Sequence, residues 1–150
     1  MSKREVSLYI VDIFIAINKI QRYTEKFKDA ESFKWSELEW DATLRELEII
    51  GEATNTLIKL EVLQNQKHRK IVDFRNIIIH GYFGIDEDEV WNVIKEQLLS
   101  FSKELKSIMI DKKIDIDEAI LCAKEENYKN LELLKFLNNF SNELKNFKLS

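Results

Sequence analysis

Proline is absent from this sequence, and only three glycines occur among its 150 residues. Folds built from strands and tight turns need both residue types, so their scarcity favours long helices. Hydrophobic residues make up 45% and charged residues 33%, which is the balance of a globular domain with one core. We therefore expect an all-α protein, built as a helical bundle.

Cysteine and long apolar runs are also scarce. The single Cys122 excludes an intramolecular disulfide and any metal site built from several cysteines. No stretch approaches the roughly 20 apolar residues of a transmembrane helix. Asp12 interrupts the apolar N-terminal run, which therefore does not fit a signal peptide. We expect a cytoplasmic protein that does not enter a membrane.

The net charge of −4 bears on the class of partner. Proteins that coat nucleic acid through bulk charge are usually basic, because their affinity comes from neutralising phosphates. Any contact of this chain with RNA must therefore be local. The acidic balance also suits a basic protein partner.

Apolar side chains spaced three and four residues apart predict six helices. The expected helices cover residues 3–24, 36–63, 66–80, 86–110, 115–127 and 129–147. Their predicted inward faces include Leu38, Ile77 and Leu131. Gly51 lies inside the second helix at some cost to helix stability, and its expected use is the close approach of two backbones.

Two features of the N-terminal third concern packing. The segment 25–35 is a charged connection, which Phe27 and Phe33 are expected to hold to the bundle. The first helix is apolar on more than one face, so it must be covered on more than one face. Either it is central to its own bundle, or a partner subunit covers the second face.

The chemistry of the chain is expected near His80, one of only two histidines, which stands five residues after Arg75 at a predicted helix end. Cleaving RNA without a metal needs a base, an acid, and a cation for the charge that develops on the phosphate. Histidine serves as base or acid near neutral pH, and arginine offers a fixed fork of donors to phosphate oxygens. Such a pair also arises by chance in many helices, where the histidine only caps the helix end.

The spacing of these residues suggests how a site is completed. Asn76 and His80 lie one turn apart on one helix face, whereas Arg75 lies well around the cylinder from His80. One helix therefore does not easily place Arg75 and His80 on the same phosphate. Two copies facing each other across a two-fold axis do, because each supplies both residues to a shared cleft.

The octet RNIIIHGY at residues 75–82 resembles the Arg-x4-6-His signature of HEPN domains, and its end resembles the Arg-x4-His-x-Tyr form of HepT-like toxins. Two further stretches resemble that family in matching order. They are RELEIIGEA at 45–53, and YFGID at 82–86 followed by Val90-Trp91. The resemblance covers roughly residues 4–110.

The resemblance implies a homodimeric up-down four-helix HEPN bundle, here residues 1–110. It implies an endoribonuclease toxin of a type VII-like toxin–antitoxin module that needs no metal and no other cofactor. Arg75 and His80 would be the catalytic pair, with Asn76 as a supporting polar group. The alternative is a non-catalytic HEPN subunit that binds nucleotide or scaffolds a nucleotidyltransferase.

The resemblance also implies a partner, an MntA-like minimal nucleotidyltransferase antitoxin that adds AMP to Tyr82. A negative chain beside the cleft would repel RNA, which fits neutralisation of the toxin. The other interpretation of Tyr82 is an aromatic residue that packs under the loop. Residues 111–150 have no counterpart in the resemblance and are expected to form a C-terminal helical extension that packs on the bundle or on a partner.

Polar residues near the motif leave further alternatives open. The basic run 67–70 either guides phosphates or is a solvated helix start. Glu48, Glu52 and Asn55 share one face of the second helix. They either orient Arg75 or His80, or are simply solvated.

Overall fold

The computed structural model describes residues 3–81 and 84–149. These residues form α-helices and one π-helical turn, with no strand among them, which confirms the all-α prediction. The helices are α1 (Lys3–Thr24), α2 (Ala30–Lys34), α3 (Glu37–Lys59), α4 (Asn65–Ile79), α5 (Glu87–Asn92), α6 (Leu98–Asp111), α7 (Asp117–Glu126) and α8 (Leu131–Leu149), with the π-helical turn Val93–Gln97 between α5 and α6.

The predicted helix boundaries hold closely, with two differences. The short helix α2 was not expected, and the helix expected over 86–110 contains the π-helical turn. A π-helical turn adds one residue to the coil of the helix. Val93 and Ile94 in this turn and Leu98 after it are buried.

Helix α1 is central to its own bundle, which decides between the two interpretations of its apolar surface. It packs along α3 on one side, and α7 and α8 pack against it as well. The rings of Phe14 and Phe140 lie 4.6 Å apart, and the Ser7 hydroxyl donates to the Asp115 carbonyl at 2.9 Å. The apolar surplus of α1 is therefore satisfied within the chain and is not evidence for a partner subunit.

The segment between α1 and α3 is held to the core by aromatic side chains, as the sequence predicts. The Asp29 carboxylate accepts from the Ser32 backbone amide at 2.8 Å and so caps α2. Phe33 is fully buried in the core cluster, and Phe27 packs against that cluster from a half-buried position. The connection is therefore part of the bundle. Its helix α2 contacts α5.

The prediction of an inward-facing side chain is wrong for three residues. Leu38 is 78% exposed, Leu131 is 77% exposed and Ile77 is 47% exposed. Each lies in the first or last turn of its helix, on the side that faces away from the core, whereas Ile78 beside Ile77 is buried. In α8 the buried stripe begins instead at Leu133.

The C-terminal helices join the same hydrophobic cluster as the rest of the chain. Leu133, Leu137 and Leu144 are buried there, and the Lys106 ammonium donates to the Glu143 carboxylate at 2.9 Å, which links α6 to α8. The boundary at residue 110 stays a prediction. In the described part of the chain no helix is long and apolar enough to cross a membrane.

Candidate active site

Arg75 and Asn76 lie near the C-terminal end of α4, which His80 caps, and α4 packs closely on α3. A Cβ atom on Gly51 would lie 2.3 Å from the Arg75 Cβ and 2.7 Å from its Cγ. Real atoms do not approach so closely, so only glycine fits at this position. The expected role of Gly51 in close packing is confirmed, and its neighbour across the contact is Arg75 itself.

We expect Gly51→Ala to destabilise the protein. At an open helical position this change stabilises by up to about 1 kcal/mol, because alanine is the better helix former. Here the added methyl group must displace Arg75 or separate α3 from α4, which costs about 1–3 kcal/mol. Urea unfolding of Gly51→Ala, with Asp41→Ala on the exposed face of α3 as the control, measures the difference. A more stable Gly51→Ala protein would show that the two helices are not in this contact.

The guanidinium of Arg75 is held by its own chain. Its Nη1 donates to the Asn76 side-chain oxygen at 3.0 Å, and its Nη2 donates to a Glu52 carboxylate oxygen at 3.3 Å. Its Nε is buried without a hydrogen bond among the described residues. The side chain remains 28% exposed, so part of the fork of donors faces solvent.

His80 ends α4, and its side chain is exposed. Its backbone amide donates to the Asn76 carbonyl at 3.0 Å, which closes the last turn. Gly81 follows without a left-handed conformation. A Cβ on Gly81 would lie 2.9 Å from the Ile77 carbonyl oxygen and 3.1 Å from Ile85 Cγ1. Glycine at this position therefore lets Ile85 lie close to the end of α4.

The structure brings Arg75 and Asn76 together but does not bring His80 to them. No hydrogen bond or ion pair joins Arg75 to His80 within residues 3–81 and 84–149. The residues lie about 140° apart around the helix at 3.6 residues per turn. Arg75 contacts α3, while His80 projects from the helix end. Tyr82, the predicted modification site, lies outside the described residues.

The second histidine is separate from this site. His68 is buried, and its ring lies 5.4 Å from that of Phe101. Burial lowers the pKa of His68 despite the Glu104 carboxylate 3.7 Å away. Its neighbours in the basic run are already paired, since the Lys67 ammonium lies 3.9 Å from Glu104 and the Arg69 Nε lies 3.0 Å from Asp73.

The three polar residues proposed to share a face of α3 have different surroundings. Glu52 contacts Arg75, whereas the Glu48 carboxylate lies 3.2 Å from Nη1 of Arg45. Asn55 is half-buried. No group of three or more His, Cys, Asp or Glu side chains in the described ranges is arranged to hold a metal ion.

Comparison with known proteins places this helical arrangement in a family. The family model described as ribonuclease HepT-like matches residues 13–108, which span most of α1 through most of α6. The chain belongs to the HepT-like ribonuclease family. The match contains Gly51, Arg75 and His80, and α7 and α8 lie beyond its end.

Two relatives show the extent of the likeness to HepT-like proteins. A protein of Methanocaldococcus jannaschii, named as a candidate RNase, is 34% identical over 110 residues, which are 72% of this chain and 100% of the relative. A protein of Thermococcus cleftensis, named as a candidate ribonuclease HepT, is 30% identical over 110 residues, which are 71% of this chain and 97% of the relative. No solved structure matches the chain.

Proposed function

We propose that this HepT-like protein is a metal-independent endoribonuclease whose catalytic residues are Arg75 and His80. The observation that carries the proposal is the end of α4, inside the family match, where both side chains reach solvent. The imidazole of His80 acts either as the base that takes the 2′-OH proton while the 2′-oxygen bonds to phosphorus, or, when protonated, as the acid that gives a proton to the 5′-oxygen as its bond to phosphorus breaks. The guanidinium of Arg75 stabilises the charge on the phosphate, and Asn76 supports it through the 3.0 Å contact.

The working site is completed by two copies of the chain. Because Arg75 and His80 point in different directions from one helix, a two-fold axis beside α4 lets Arg75 of one copy approach His80 of the other. Ile77 is 47% exposed and Ile79 is 40% exposed, so an apolar surface flanks Asn76 and His80. Exposed apolar surface of this kind suits an interface between copies. We therefore propose that α4 of one copy contacts α4 of the other.

The proposed toxin role rests on the position of Tyr82 in the sequence. We assign the chain to a toxin–antitoxin module in which an MntA-like nucleotidyltransferase adds AMP to Tyr82. Tyr82 stands two residues after His80 in the sequence, so each added phosphate brings negative charge near the cleft. That charge opposes RNA binding. We assign residues 111–150 to a C-terminal extension of this toxin, whose helices α7 and α8 pack against α1.

The activity is tested with freshly produced protein that carries no modification. We expect it to cleave single-stranded RNA at the same rate with and without a chelator such as EDTA. Intact RNA across varied substrates would overturn the nuclease function and favour the non-catalytic subunit that binds nucleotide or scaffolds a nucleotidyltransferase. Cleavage that stops with EDTA and returns with added metal would overturn metal independence alone.

The modification is tested by producing the chain together with an MntA-like nucleotidyltransferase. We expect the intact mass to rise by one or more AMP groups and RNA cleavage to fall. The Tyr82→Phe variant keeps the aromatic ring and lacks the acceptor oxygen, so its mass stays unchanged. An unchanged mass of the native chain, or equal addition to Tyr82→Phe, would contradict modification at this residue.

A further inference from the structure

Two consecutive residues of α3 form a cradle for Arg75. Gly51 leaves room for the Arg75 Cβ and Cγ to lie directly on the α3 backbone, since a Cβ there would meet both atoms within 2.7 Å. The next residue, Glu52, then meets the far end of the same side chain, with its Oε1 3.3 Å from Nη2. The stem and the head of Arg75 are thus fixed by neighbouring positions on one helix.

The two hydrogen bonds leave the guanidinium with a defined orientation. The group is planar and carries five N–H donors in a rigid fork. Glu52 accepts a hydrogen bond from Nη2, and Asn76 accepts one from Nη1. The two bonds together hold the plane of the guanidinium. Each terminal nitrogen keeps one further N–H. Those two donors are available for a phosphate oxygen.

We propose that Glu52 is a positioning residue for Arg75, an inference that rests on the proposed ribonuclease function. Its carboxylate touches neither the ribose nor the scissile phosphate and acts only through the guanidinium. A negative charge at this place opposes RNA binding, because the phosphates carry the same sign. Glu52 therefore assists the chemical step and not substrate binding. A misplaced catalytic group slows the reaction even though the substrate still binds.

The contact contributes little to stability, so activity can be compared without a change of fold. Glu52 is 55% exposed, and ion pairs between exposed side chains have small effects on the free energy of unfolding. Glu48 offers a matched control. It stands one turn earlier on α3, carries the same charge and pairs with Arg45 instead of Arg75.

The test separates kcat from KM for RNA cleavage by Glu52→Ala, Glu52→Gln and Glu48→Ala. We expect Glu52→Ala to lower kcat by about tenfold or more, with KM unchanged or lower. Glu52→Gln keeps a hydrogen-bond acceptor for Nη2 and should recover most of kcat. Glu48→Ala should match the native chain. The side-chain N–H signals of Arg75 in NMR spectra, assigned by their loss in Arg75→Lys, should shift in Glu52→Ala and stay in place in Glu48→Ala.

The outcomes distinguish this proposal from the one it rests on. A native chain that leaves RNA intact overturns the ribonuclease function. A native chain that cleaves RNA, with Glu52→Ala within twofold of it in kcat, overturns the positioning role alone. Arg75 signals that do not move in Glu52→Ala overturn the contact itself, whatever the activity.

Discussion

Replacing His80 by alanine should lower RNA cleavage by about 10²–10⁴-fold, the usual contribution of one general acid or base. The imidazole is exposed at the end of α4, and the hydrogen bond that closes the helix comes from the His80 backbone. His80→Ala therefore removes the titrating group and keeps the fold. Thermal unfolding should confirm this, with a midpoint close to that of the native chain.

Arg75→Ala should cost about 10²–10³-fold, as removal of one donor to a developing negative charge does. Arg69→Ala is its control, because Arg69 lies on the same helix and pairs with Asp73 at 3.0 Å. Initial rates on one RNA substrate give the comparison. Equal losses for Arg69→Ala and Arg75→Ala would indicate a general effect of positive charge, and full activity of His80→Ala would remove the histidine from the mechanism.

Replacing Phe33 by alanine should lower the free energy of unfolding by about 3–5 kcal/mol, the range for a large buried aromatic side chain. Phe33 is fully buried, and its ring lies within 6.0 Å of the rings of Phe27, Trp40 and Trp91. Removing it leaves a cavity where α2, α3 and α5 meet. This is a large share of the stability of a domain of this size.

Trp35→Ala is the matched control for Phe33→Ala. Trp35 is two residues away and 73% exposed, so its removal should change the free energy of unfolding by at most about 0.5 kcal/mol. Phe33→Leu keeps much of the buried volume and should lose less than Phe33→Ala. Chemical unfolding curves of the three variants test this order. Equal losses for Phe33→Ala and Trp35→Ala would contradict the burial of the connection.

Periodicity in the sequence predicted most of the helices because apolar side chains mark the buried face of each one. It did not predict which residues of a terminal turn the neighbouring helices cover. Spacing alone places Leu38 and Ile77 inward, but both are exposed in terminal turns, and Ile78 beside Ile77 is the buried residue. The π-helical turn leaves no mark in this spacing, because Val93 and Ile94 also fall on the buried face of an uninterrupted α-helix.

The catalytic roles of the site residues stay predictions, whereas the contacts around them can be compared with the sequence. The sequence indicated Arg75, Asn76 and His80, and it indicated a close helix contact at Gly51. It could not pair Gly51 with Arg75, because the register between two helices depends on how their side chains interlock. The same register between α3 and α4 places the Glu52 carboxylate next to the Arg75 guanidinium.

A mixed dimer tests most directly the claim that two chains complete a site from Arg75 and His80. One copy carries Arg75→Ala and the other His80→Ala, and two different affinity tags isolate the mixed species. Each variant alone should keep about 1% or less of native cleavage. The mixed dimer should recover roughly half of it, because one of the two symmetric sites is intact. A mixed dimer no more active than either variant alone would contradict the shared cleft.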